Sequence, residues 1–222
     1  IERFGVSLPG FHATPVYLER LGEVAAGACG RAGQGAAIDR LLDFVERRRG
    51  LAALLDEERR AGRIPMRITH GDPKLDNILF ASDRSRALAL IDLDTVQPGL
   101  LQHDLGDCLR SCCNRGGEGA SDPAATRFDL GLCTAILAGY ADETRELLGA
   151  AEVESLFDAI RVMPFELGLR FLTDYLEGNR YFRVEHPEQN LHKAQVQFAL
   201  VADIERKEEA LRGLLAQAFQ RG

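Results

Sequence analysis

Helical spacing of apolar residues runs through most of this chain and fails once, near the middle. That single failure narrows the folds open to it. Ile38, Leu41, Leu42 and Val45 fall at i, i+3, i+4 and i+7, the apolar stripe of a helix, with Arg47, Arg48 and Arg49 expected on its solvated side. Thr14-Pro15 reads as an N-cap followed by proline at the first helical position, opening a helix through about Ala26. The Gly- and Ala-rich stretch from Gly27 to Gly35 reads as a flexible connection. Helix returns from Asp104 onward. Asp122-Pro123 is a second cap, Phe128 to Tyr140 is largely apolar, and Glu154 to Leu176 forms a longer helical stretch expected to bend or restart at Pro164. A final helix starts near Pro187, with Leu191, Ala194, Phe198, Val201 and Ile204 on its buried face. Between these regions lie only short runs: Met66 to Thr69, Ile78 to Phe80 and Ala87 to Ile91, separated by Gly, Pro, Asp and Ser. Such runs predict small strands. The expected fold is mainly α with a small β insert, organised as a helical segment (1–65), the insert (66–100) and a helical subdomain (101–222).

Composition excludes several function classes. Twenty-seven Lys and Arg against 34 Asp and Glu give a net charge of −7, which argues against a nucleic-acid or anionic-membrane surface. No run approaches the roughly 18 consecutive apolar residues of a membrane span. The first residues, Ile1-Glu2-Arg3-Phe4, hold neither an initiator Met nor a signal segment. Five cysteines form no CxxC pair, and no His stands at zinc-site spacing from them. Cys29 and Cys133 stand alone, while Cys108, Cys112 and Cys113 crowd one short segment. Cys108 and Cys112 share a helix face and read as packing residues, with a reactive thiol as the alternative. Buried thiols in a cytoplasmic protein are the expectation.

Polar residues gather in the insert. His70-Gly71-Asp72-Pro73-Lys74-Leu75-Asp76-Asn77 joins the first two strand candidates, and the third ends in Ile91-Asp92-Leu93-Asp94. Phosphoryl transfer needs a carboxylate beside the acceptor hydroxyl and oxygen ligands for the Mg²⁺ on the nucleotide phosphates. A loop between strands can place Asp72 at the acceptor and turn Asn77 toward the metal, with Asp92 supplied from a neighbouring strand end. This is the H-x-D-x₄-N spacing of kinases followed by a second metal-binding Asp. Asp94, one strand repeat beyond Asp92, is expected on the same side, serving the metal, the acceptor, or a cap or salt bridge. Asp104 and Asp107 flank a helix start and read as caps. Lys74 reads as exposed loop charge, with a phosphate contact as the alternative.

These stretches resemble the aminoglycoside phosphotransferase and choline kinase superfamily, which is protein-kinase-like. The finer resemblance is to the N-acetylhexosamine 1-kinase-like group. It is carried by Thr69 to Asn77, by Ile91 to Gly99 with His103 to Asp107, and by Gly168 to Leu176 with Tyr181-Phe182, and runs from about Phe11 to Ile204. The resemblance implies the C-terminal lobe of a kinase-like fold, with ATP as co-substrate and Mg²⁺ as cofactor. Asp72 would be the general base or orient the acceptor hydroxyl. Asn77 and Asp92 would hold the metal, and His70 would shape the loop. Arg170 and Tyr181 match positions facing the sugar, where a guanidinium and a phenol suit hydroxyl and acetamido groups. Their plain structural alternatives are an ion pair and a core-edge phenol.

A kinase of this type also needs a β-rich lobe with a loop over the phosphates and a phosphate-pairing Lys. Only 71 residues precede Asp72, and they read mostly as helix. The nucleotide-binding lobe is therefore expected to be absent from this chain, and the fragment alone to turn over little. The functional expectation is an ATP-dependent phosphotransferase acting on a small metabolite, with the anomeric hydroxyl of an N-acetylhexosamine as leading acceptor. The alternatives are another acceptor (an aminoglycoside, a choline-like amine, another sugar) or a non-catalytic kinase-like binding module.

Overall fold

A computed structural model describes residues 5, 6, 8–28 and 35–220. The first four residues, Cys29 and most of the Gly27 to Gly35 connection lie outside them. In chain order the elements are α1 (Thr14–Ala28), α2 (Ala36–Glu46), a 3-10 segment (Arg49–Ala53), α3 (Leu54–Arg60), β1 (Arg67–Thr69), β2 (Ile78–Phe80), β3 (Ala87–Leu90), β4 (Gln97–Gly99) and α4 (Leu101–Cys112). They are followed by α5 (Leu130–Thr144), α6 (Ala150–Glu154), α7 (Leu156–Leu176), α8 (Gln189–Arg206) and α9 (Glu208–Ala218). The chain is mainly α with a small β part. None of its described helices is long and apolar enough to cross a membrane.

Helix α7 is the organising element because it is apolar on nearly every face, as a helix surrounded by others must be. It packs against α8, α4 and α1. Two clusters meet along it. Phe165, Leu169 and Leu172 join α1, α2, α3 and Ala194, Phe198 and Val201 of α8, while Leu156, Phe157 and Ile160 join α4, α5, α9 and Leu200 and Ile204 of α8. Pro164 does not restart this helix: α7 runs through it unbroken, and the restart lies at Ser155. Packing on all sides outweighs the backbone bond that the proline removes.

Two other sequence expectations need correction. Helix α2 ends at Glu46, so Arg47 to Arg49 do not continue its outer face. Arg48 instead turns inward, lies over the Phe44 ring at 3.8 Å and makes a forked contact with Glu205 at 2.7–3.1 Å. The expected final helix is two, because the chain breaks at Lys207 between α8 and α9.

The β part is two separate antiparallel pairs. Strand β2 pairs with β3, and β1 pairs with β4 in the register Arg67↔Gly99, Ile68↔Pro98, Thr69↔Gln97. The inner hairpin is thus nested within an outer one. This nesting forces the two connecting segments, 70–77 and 91–96, to run side by side. Ile91 N–H donates to the Asn77 carbonyl at 2.9 Å and the Thr95 hydroxyl to the His70 carbonyl at 2.7 Å. Both polar stretches singled out in the sequence are therefore one structural unit.

Candidate active site

Segment 70–77 leaves β1 through Gly71, whose φ of +88° belongs to the left-handed region. A Cβ there would lie 2.9 Å from the Thr95 carbonyl oxygen, so the two connecting segments approach as closely as glycine permits. His70 is buried and ties the unit together. Its Nδ1 accepts the Asp72 N–H at 3.2 Å, and its Nε2 then donates to the Ile91 carbonyl at 3.0 Å, which fixes a neutral Nε2–H ring.

Asp72 sits at the head of this loop, partly exposed. Its carboxylate accepts from Lys74 Nζ at 2.6 Å and from the Asn77 amide at 3.2 Å. Lys74 is thus half-buried and paired rather than loose loop charge. Burial alone would lower its pKa, but the hydrogen bond and charge of Asp72 outweigh burial and raise it. Asn77 is buried, and its amide nitrogen also donates to the Asp72 carbonyl at 2.8 Å. Both partners are acceptors, so the amide orientation is settled and the carboxamide oxygen is the atom left for another ligand.

Asp92 has a φ of +65°, and Leu93 to Thr95 form a 3-10 turn. The strand alternation expected to set Asp94 on the same side as Asp92 therefore does not apply. Both carboxylates are exposed, and neither forms an ion pair among the described residues. The pairing Ile78↔Leu90 brings Asn77 opposite Ile91, one residue from Asp92. Asn77 oxygen and Asp92 carboxylate are hard donors without a competing cation. That donor chemistry suits Mg²⁺.

A cavity of about 710 Å³ opens beside the loop, lined by Asp72, Lys74, Asp107, Arg110, Arg170 and Tyr181 among others. It brings Asp72 together with Arg170 and Tyr181, which come from distant parts of the chain. Asn77, Asp92, Asp94 and His70 do not line it. Arg170 reaches the Tyr181 hydroxyl at 3.4 Å and lies 5.3–5.8 Å from the ring centres of Phe11, Tyr17, Tyr181 and Phe182. It has no carboxylate partner among the described residues.

Three contributors to this site were not recognised from sequence. Asp104 is no cap. It lies inside α4, accepting the His70 N–H at 2.7 Å and the Gly71 N–H at 2.8 Å on its two oxygens. Asp107 likewise lies within α4, where it and Glu118 clasp the buried Arg110 at 2.7 and 2.8 Å. His12, just before α1, contacts the Gly71 carbonyl at 2.8 Å.

The sequence model of the phosphotransferase enzyme family (APH) matches residues 5–149, about two thirds of the chain. The chain belongs to this family. The match spans the Asp72 loop, the Asp92 turn and helix α4. Phosphotransferases of this family use ATP as phosphate donor, generally with Mg²⁺. A mainly α chain with a small β part is what the C-terminal lobe of such a kinase-like fold requires.

Proposed function

We propose that the chain is the catalytic lobe of an ATP-dependent phosphotransferase that phosphorylates a hydroxyl of a small, uncharged polyhydroxylated acceptor, with the anomeric hydroxyl of an N-acetylhexosamine as leading candidate. The observation that carries this reading is Asp72, fixed by four neighbouring contacts at the rim of a cavity whose far side holds Arg170 and Tyr181.

In this reading the acceptor hydroxyl donates its hydrogen bond to the Asp72 carboxylate, which orients the oxygen and takes its proton as the bond to phosphorus forms. Lys74 holds the Asp72 carboxylate in place before the acceptor arrives and offers a cation to the transferring phosphoryl group. Asn77 and Asp92 would hold Mg²⁺, which supplies neutralisation of the phosphate charge when bound. Arg170 and the Tyr181 hydroxyl donate to acceptor oxygens, and the surrounding rings give the sugar an apolar face. The β2–β3 hairpin leaves Leu79, Phe80, Leu88 and Leu90 between 43 and 52% exposed, an apolar surface suited to the nucleotide base and to a lobe that carries it.

The charge inventory of the cavity supports a neutral acceptor. Its carboxylates are already matched: Asp72 with Lys74, Asp107 and Glu118 with Arg110, and Glu166 with His12; Asp76, beside the metal-side residues, is the exception. Arg170 and Lys193 have no carboxylate partner among the described residues. A polycationic aminoglycoside or a choline-like amine needs free carboxylates at the acceptor end, so a neutral sugar is favoured over both. The test is ADP release by the full-length protein against N-acetylglucosamine, N-acetylgalactosamine, kanamycin and choline, with the product identified by ³¹P NMR. A sugar 1-phosphate is expected; turnover of kanamycin or choline alone would overturn the acceptor assignment.

A further inference from the structure

Behind the Asp72 loop lies a buried ionisable cluster that the phosphotransfer chemistry does not use. His12 Nδ1 lies 2.8 Å from Glu166 Oε1, and Nε2 lies 2.8 Å from the Gly71 carbonyl oxygen. The Glu166 carboxylate and the carbonyl are both acceptors, so both ring nitrogens must donate, and only the imidazolium does that. The second Glu166 oxygen accepts from the Thr14 hydroxyl at 2.6 Å, so the carboxylate is also fully engaged. Glu166 is 1% exposed, on the central helix α7. His12 itself has a φ of +56°, an unfavourable conformation for a residue with a Cβ, which persists only where the surroundings over-determine it.

We propose that His12, held as an imidazolium by Glu166, is a positioning residue that fixes the Gly71 carbonyl and thereby the direction in which Asp72 meets the acceptor. The role of His12 rests on this geometry, and the consequence for catalysis rests on the phosphotransfer reading. Together His12 and Asp104 grip one dipeptide from both polar sides: Asp104 takes the His70 and Gly71 N–H groups, and His12 supplies a proton to the Gly71 carbonyl. The loop is thus pinned to α4 by an anion and to α7 by a cation, one residue before Asp72.

The groups facing His12 agree with its charged form. From α7 comes Glu166, from α4 the carboxylates of Asp107 and Asp104, and from α1 the Tyr17 hydroxyl. Among the described residues, the ring packed against His12 that could carry an opposing charge is His103 on α4, whose ring centre is 4.8 Å away. Burial, then the charge of His12, push that ring down to about 3, so it stays neutral. Burial alone would also lower His12, but Glu166, the Gly71 carbonyl and Asp107 outweigh it and hold His12 above its ordinary value of 6.5. On deprotonation one ring nitrogen presents a lone pair to an acceptor, and either the Gly71 contact or the Glu166 contact is lost. The loop therefore loosens as pH rises through the His12 titration.

The variant that separates charge from packing is Glu166→Gln. Its carboxamide oxygen still accepts from Thr14, and its amide donates to Nδ1 of a neutral imidazole that keeps Nε2–H on Gly71. NMR of ¹⁵N-histidine-labelled full-length protein at pH 7 should show both His12 nitrogens protonated in the parent and one in Glu166→Gln. In ADP-release assays the parent should lose kcat at alkaline pH, and Glu166→Gln should lack that alkaline limb. His12→Ala should lower kcat on the order of a hundredfold with KM values for ATP and acceptor little changed. A singly protonated His12 at pH 7, or an alkaline limb unchanged in Glu166→Gln, overturns the proposal even if His12→Ala fails to fold. An intact imidazolium in a protein that turns over no acceptor overturns the phosphotransfer reading instead, and with it the catalytic half of the proposal.

Discussion

Replacing Asp104 with Asn is the sharpest test of how the catalytic loop is held. Asp104 presents one oxygen to the His70 N–H at 2.7 Å and the other to the Gly71 N–H at 2.8 Å. Asn retains one oxygen and turns an NH₂ toward the remaining amide, so one charge-assisted bond is exchanged for two donors facing each other. Hydrogen bonds to charged groups contribute about 1.5–3 kcal/mol, and a stranded buried N–H costs a similar amount. Burial works the other way and outweighs the two amides in the carboxyl's titration, holding it above its ordinary value, so the loss rests mainly on the stranded N–H. A net loss of about 2 kcal/mol follows. For a chain of 222 residues this lowers Tm by about 4–8 °C. Thermal unfolding followed by circular dichroism measures the shift, and amide hydrogen exchange at Gly71 measures whether it is local. A Tm within 1 °C of the parent, with unchanged Gly71 exchange, would refute the role given to Asp104.

Three further outcomes follow from single features. Gly168 lies under Phe198, where a Cβ would meet the ring at 2.4–2.9 Å, so Gly168→Ala should destabilise the fold by about 1–3 kcal/mol in a denaturant titration. His103 is buried neutral with a pKa near 3 against an ordinary 6.5, so the unfolded state alone takes up its proton. Stability should therefore fall by about 1.4 kcal/mol per pH unit as pH drops from 6 toward 3, and His103→Gln should flatten that slope in urea titrations. Asp92→Asn removes an anionic donor from the metal side, and the Mg²⁺ concentration giving half-maximal ADP release by the full-length protein should rise more than tenfold; an unchanged requirement removes Asp92 from the site.

Much of the framework was legible because it depends on local pattern. The apolar stripe of α2, the Thr14-Pro15 start of α1 and the three short strands all appear where their spacing places them. Strand β4 was missed because Pro98 and Gly99 oppose a strand reading, yet in a two-stranded sheet Pro98 has an open side for its missing N–H. The restart expected at Pro164 failed for the opposite reason: a local breaker sits inside a helix whose buried surroundings keep it continuous. The Asp72 loop was readable because its residues are close in sequence. Asp104 and His12 were not, because what identifies them is a partner distant along the chain: Asp104 and His70 are 34 residues apart, and His12 and Glu166 are 154 apart and meet only once α1 lies on α7. A lone His before a helix carries no signal of that pairing.

The central claim is that Asp72 directs phosphoryl transfer to a hydroxyl. The most direct measurement is ADP release with N-acetylhexosamine as acceptor by full-length protein carrying Asp72→Ala, alongside circular dichroism to confirm its fold. The account predicts loss of turnover by a factor of a hundred or more with the fold retained. Near-parental turnover in a folded Asp72→Ala protein would contradict it.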